Sequence, residues 1–104
     1  MKNSDCFNAC IACVAACEKC VTSCIKAGNM ECALLCRDCA DICALCARLA
    51  ARGSKYCDEI CAVCAQVCND CAAECSKHAS HHASCKECAD ACKQCAEVCA
   101  SVPA

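Results

Sequence analysis

At 104 residues the chain has room for one domain, and a formal net charge of −2 offers no basic footprint for nucleic acid. Its 60% apolar fraction is dominated by 22 Cys and 22 Ala, leaving only 18 larger apolar residues. A conventional core of Leu, Ile and Phe is thereby excluded, and something other than hydrocarbon must occupy the middle of the fold.

No apolar run approaches the ~18 residues of a membrane span, so no membrane partner is expected. The opening Met1-Lys2-Asn3-Ser4-Asp5-Cys6 has neither an apolar h-region nor a twin-arginine pair, and a cytoplasmic location is expected. In that reducing compartment cysteines remain thiols. The composition also argues against a secreted disulfide scaffold, which is rich in loops. There are only 2 Gly and 1 Pro, and the long Ala-rich stretches favour helix.

The first predicted helix carries Cys6, Cys10, Cys13, Cys17, Cys20 and Cys24, and Gly28 can close it. Asn29 can cap a second helix carrying Cys32, Cys36, Cys39, Cys43 and Cys46, which Gly53 can close. Ser54 can cap a third, with Cys57, Cys61, Cys64, Cys68, Cys71 and Cys75. The connection from Lys77 to Ser84 has no Gly. The fourth helix, with Cys85, Cys88, Cys92, Cys95 and Cys99, could start after Ser80, or after Ser84 with Glu87 completing a capping box.

Within every group the cysteine spacing alternates strictly between 3 and 4. That is one narrow stripe of a helix facing inward, whereas a strand would need period 2. The connections are short, so neighbouring helices should be antiparallel. Residues 1–104 are therefore expected to form an all-α, antiparallel four-helix bundle with a cysteine-lined core. The first stripe covers about 27 Å at the usual helical rise.

The halves look duplicated. A shift of 51 carries Cys6 onto Cys57, and a shift of 49 carries Cys36 onto Cys85. Under the second shift Cys32 falls on His81 and Ala50 on Cys99. Each helix would then have six inward places, with His81 and Ala50 filling the two that lack cysteine.

Soft thiolates select Cu(I), Zn(II) or iron–sulfur clusters. Zinc and iron–sulfur sites want four ligands converging from loops and turns. A continuous helix instead offers i,i+3 and i,i+4 pairs on one face, which suit a low-coordinate ion such as Cu(I). With two unshared thiolates per ion, 22 Cys hold about 11 ions; with every thiolate bridging, up to 22. Dense packing favours the larger load. Other readings of the seam are a small-residue coiled coil, a disulfide-stapled bundle, and a metallothionein-like general thiol buffer for zinc or other soft metals.

No catalytic constellation competes: no Gly-rich phosphate loop and no Ser–His–Asp candidate, so no enzyme is expected. CxxC pairs such as Cys10/Cys13 sit in mid-helix, where a thioredoxin-like role is not expected.

The runs CIACVAACEKC, CRDCADICALC, CAVCAQVCNDCAAEC and CKECADACKQCAEVC resemble the bacterial copper storage proteins over essentially the whole chain. Those are four-helix bundles with cysteine-lined cores, in exported and cytosolic forms, and this chain looks like the cytosolic form. The resemblance implies storage of multiple Cu(I) ions inside the bundle and a homotetramer.

The remaining candidates lie mostly at one end. His78 follows Cys75 by three and stays on the inward stripe, and His81 fills a lattice place; His82 reads as a solvated loop residue. Met30 sits in the helix 1–2 connection as a possible thioether ligand. With Cys24, Cys32, Cys75 and Cys85 these residues make one end a candidate mouth for copper uptake. Ala50 and Val102-Pro103 are expected to close the other. Phe7 and Tyr56 read as structural, and charges such as Arg37, Asp38, Lys86, Glu87, Asp90 and Lys93 as solvated faces. Ile11, Ile25, Leu34 and Leu45 lie round from the seam and would be wetted in a monomer, so helices 1 and 2 are expected to form the oligomer interface.

Overall fold

A computed structural model describes residues 2–101. Four helices follow one another: α1 (Lys2–Ala27), α2 (Met30–Arg52), α3 (Cys57–Ser76) and α4 (Ala83–Ala100). α1 packs on α2 and α4, and α3 packs on the same two, giving a square bundle 40 Å long and 17 Å across. The sulfur partners fix the directions. Cys6 lies against Cys46 and Cys99, and Cys20 against Cys85, so α1 runs antiparallel to α2 and α4. Cys6 and Cys20 meet Cys61 and Cys75 across the axis, so α1 and α3 are parallel diagonal partners.

Among the described residues, the buried set consists only of the 22 cysteines and eight alanines, with no buried polar or charged residue. The buried alanines recur every seven residues beside the seam: Ala33, Ala40 and Ala47 on α2, Ala65 and Ala72 on α3, Ala89 and Ala96 on α4. A methyl side chain there lets helices approach closely enough for short cysteines to meet at the axis. The larger residues Phe7, Val14, Val21, Leu35, Ile42, Leu49, Ile60, Val67 and Val98 are half-buried and pack against the core from its rim. Hydrocarbon thus forms a collar around a centre of sulfur.

The glycine signals hold. Gly28 takes φ +81°, and the Asn29 N–H donates back to the Cys24 carbonyl at 2.8 Å. Gly53 takes φ +62°, with its N–H and that of Ser54 donating to Ala50 and Leu49 carbonyls. Both are left-handed closures that glycine adopts without penalty.

The polar caps differ from expectation. Asn29 does precede α2, but its side chain makes no capping bond. Ser54 does not cap α3. Its Oγ accepts the Tyr56 N–H at 3.1 Å and its carbonyl accepts the Cys57 N–H, so it spends its oxygens on a turn, and Tyr56 precedes the helix. Neither Ser80 nor Ser84 starts α4. After α3 the backbone keeps turning through residue 81, and His82 is the first extended residue (φ −135°). The His82 carbonyl accepts the Cys85 and Lys86 N–H groups. Ser84 lies inside the first turn with a buried, unpartnered hydroxyl, so no capping box forms.

Contrary to the expectation that no segment reaches membrane-span length, one helix does. Ser4–Ala27 of α1 is long and apolar enough to cross a membrane by length and composition. Its hydropathy comes largely from cysteine and alanine, and in the bundle the cysteines of that stretch all face the core.

Because closures and collar owe nothing to metal, the reduced metal-free protein should show a strongly helical circular dichroism spectrum; a coil spectrum contradicts this. Gly53→Ala, which places a Cβ at φ +62°, should cost ~1–2 kcal/mol in urea denaturation.

Candidate metal centre

Every cysteine is a free thiol and every one is buried. Each sulfur lies within 4.0 Å of at least one other, the shortest approaches being 3.5 Å (Cys43–Cys68 and Cys46–Cys61). These are van der Waals separations, far from the ~2.05 Å of a disulfide.

The approaches join into one network. A continuous path leads from Cys57 through Cys61, Cys6 and Cys99 to Cys95 and Cys64. It continues through Cys68, Cys39, Cys92 and Cys88 to Cys36, Cys75, Cys20 and Cys24 at the opposite end. The other cysteines branch from it: Cys10 and Cys46 near the first end, Cys13, Cys17 and Cys43 in the middle, Cys32, Cys71 and Cys85 near the second.

Thiols also converge in fours, with all sulfurs of a group within 4.8 Å. One group is Cys6, Cys46, Cys61 and Cys99, one thiol from each helix. Groups share members: Cys99 also joins Cys10, Cys64 and Cys95, while Cys13 and Cys39 belong both with Cys43 and Cys68 and with Cys17 and Cys92. Several sulfurs thus belong to more than one group, and the lattice suits bridging thiolates.

The thiols sit in a dry interior that penalises their charged form. Burial pushes Cys6 at one end and Cys85 at the other up to about 12, from an ordinary value of 9.0. Cys24, Cys32, Cys57 and Cys61 are raised, with burial the largest cause for each. Several thiols go the other way because neighbouring thiols hydrogen-bond the thiolate: Cys36 and Cys75 lower Cys20, Cys10 and Cys64 lower Cys46, and Cys10 and Cys46 lower Cys99.

The non-cysteine candidates separate. Met30 is the first residue of α2 and 52% exposed. His81 is exposed and does not fill an inward place, because α4 begins only after it; the α4 stripe therefore has five positions, not six. Ala50 does fill its place and is buried. His78 lies just beyond α3, half-buried, its N–H donating to the Cys75 carbonyl and its Nε2 3.1 Å from Glu74 Oε2. His82 is half-buried before α4. At the other end Cys57 is the most exposed thiol, at only 4%. Val102 and Pro103, expected to close that end, lie outside the described residues.

Sequence reasoning missed Glu74. Its i,i+4 spacing to His78 was the available signal.

A family model described as copper storage protein matches residues 1–104. Among solved structures, the chain is similar to the Cu(I)-bound copper storage protein BsCsp3, with 42% identity, all of both chains covered and a TM-score of 0.93. Apo-Csp3 from Bacillus subtilis is 45% identical over 94% of this chain and 95% of its own, with a TM-score of 0.88. A cytosolic copper storage protein from Streptomyces lividans loaded with five coppers is 32% identical over 95% and 89%, with a TM-score of 0.89. No curated protein matches.

The raised thiols set a pH dependence. Below pH 9 they are protonated in both folded and unfolded chains and their contribution is intact. Between 9 and about 12 the unfolded chain ionises first, so metal-free stability should fall across that window, each unit of gap costing about 1.4 kcal/mol per thiol. Cu(I)-loaded protein, whose thiolates carry metal in place of protons, should show much less loss in parallel urea titrations. Equal loss in both forms contradicts the assignment.

Proposed function

The chain belongs to the copper storage protein family, and from that premise we propose that it takes up many Cu(I) ions on its core thiols, for sequestration and later supply. The role is storage rather than catalysis. The single observation that carries the reading is the joining of all 22 buried thiols into one network of sulfur–sulfur approaches.

Charge balance explains why a monovalent ion suits this core. No buried positive group is present to offset thiolates among the described residues. Exchanging each thiol proton for one Cu(I) leaves the interior neutral. A tetrahedral Zn(II) with four unshared thiolates leaves two net negative charges per site in a medium that penalises them heavily. Sulfur spacing alone does not discriminate, since a Zn–S bond of ~2.3 Å sets a tetrahedral edge of about 3.8 Å, close to the separations found. Neutrality favours Cu(I) and a load near one ion per thiol.

The proposed ligands are the 22 cysteines, with His78, His81 and Met30 as weaker neutral ligands at the mouth that receive Cu(I) and pass it inward. Three features support the mouth: Met30 and His81 are exposed, His78 is half-buried, and Cys75 lies directly behind it on α3. A cytoplasmic location is proposed, in line with the cytosolic relative from Streptomyces lividans. A homotetramer assembled through α1 and α2 is also proposed. Ile11, Ile25 and Leu34 are exposed on those helices, Leu34 at 59%, while Leu45 is half-buried.

Anaerobic titration of reduced protein with Cu(I) against a competing chelator should plateau well above about 11 equivalents and approach 22. A plateau at four or five, or tighter binding of Zn(II) in a parallel titration, would overturn the storage reading in favour of a general thiol buffer. Replacing His78, His81 and Met30 together with non-ligands should slow stopped-flow loading and leave capacity nearly unchanged. Ile11→Glu with Leu34→Glu should give monomers on a sizing column; an assembled double variant would show that the interface lies elsewhere.

A further inference from the structure

Of the three histidines at the mouth, His78 is the one whose ring is tied to a carboxylate. Glu74 sits one turn earlier on the last turn of α3, its side chain only 14% exposed, and His78 is 26% exposed. The Glu74 carboxylate is shared. Oε1 accepts from Lys77 Nζ at 3.1 Å, which supplies a compensating positive charge, and Oε2 lies 3.1 Å from His78 Nε2. A carboxylate can only accept, so the imidazole must donate Nε2–H to it. In the neutral ring that leaves the lone pair on Nδ1. The backbone pins the same residue, because the His78 N–H donates to the Cys75 carbonyl at 3.0 Å. Cys75 in turn is a junction of the sulfur network, 3.6 Å from Cys32 and Cys36 on α2 and 3.9 Å from Cys20 on α1.

We propose that Glu74 is a positioning residue for copper uptake: it fixes the His78 tautomer and ring orientation so that Nδ1 is the nitrogen offered to incoming Cu(I), for handover to Cys75. The inference rests on the reading of His78 as a mouth ligand. Carboxylates that hold a metal-ligating histidine in this way commonly affect metal affinity or activity by ~10–100-fold when removed. An exposed glutamate–histidine pair that only stabilised a helix end would contribute a few tenths of a kcal/mol and would leave metal kinetics alone.

The test compares Glu74→Ala, Glu74→Gln, His78→Ala and the Glu74→Ala/His78→Ala double variant. Loading from a Cu(I) chelate is followed by stopped flow, and the His78 tautomer in metal-free protein is read from imidazole nitrogen chemical shifts. Glu74→Ala should slow loading about tenfold, to the rate of His78→Ala. The double variant should be no slower than either, and final capacity should be unchanged. Glu74→Gln, which keeps an acceptor oxygen, should restore both the Nε2–H tautomer and most of the rate. A slow His78→Ala with Glu74→Ala at the parent rate overturns the role of Glu74 alone. So does a slowed Glu74→Ala whose His78 tautomer is unchanged, because the loss then comes from the helix end. His78→Ala at the parent rate removes the mouth reading itself, and this inference with it.

Discussion

The constraint on which the structure depends is electrical neutrality in a dry interior. All 22 sulfurs are buried, and no buried polar or charged residue accompanies them among the described residues. Accumulated negative charge on the sulfurs is therefore costly unless protons or soft cations offset it, and the cation that replaces a proton without changing the local charge is monovalent. Neutrality ties capacity to thiol number, and it ties loading to proton release, since every Cu(I) bound as thiolate expels one proton.

The architecture follows from freeing the axis for that exchange. In an ordinary bundle the inward stripe is filled with leucine and isoleucine, and packing there holds the helices together. Here the stripe is occupied by cargo ligands, and cohesion moves outward to the heptad alanines and the half-buried collar around Val14, Ile42 and Val67. The closures at Gly28 and Gly53 then hold α1 against α2 and orient α2 toward α3 without borrowing any sulfur. Fold and load are served by different residues, which is why the metal-free protein is expected to be helical.

Much of this was legible because helical period is a long-range signal. The strict alternation of 3 and 4 placed every cysteine inward, and all 22 are buried. What sequence could not give was local. Ser54, Ser80 and Ser84 all carry capping oxygens, yet backbone carbonyls of Tyr56 and His82 take the helix-start bonds. Extending the repeat puts His81 inward, but the segment turns before α4 begins, and one extra turn of chain carries His81 out to solvent. A glutamate four residues before a histidine, as Glu74 stands before His78, reads as an ordinary surface pair until a structure shows how little of it is exposed. In α1, hydropathy counts thiols as oil, so a helix that lines a sulfur channel scores like one that lies in lipid.

The bundle is 40 Å long but only 17 Å across, and each heptad of each helix contributes two thiols to its axis. Such a store grows in one dimension: an added heptad on all four helices would bring eight more sulfurs at constant girth. Its ions would then be stacked in layers along one axis, since groups of four thiols converge across the bundle. On the proposed entry through the histidine-bearing end, ions held near that end have the shortest way out and those at the Cys57 end the longest. The labile fraction of the load would then be set by depth along the axis rather than by differences between chemically similar sites.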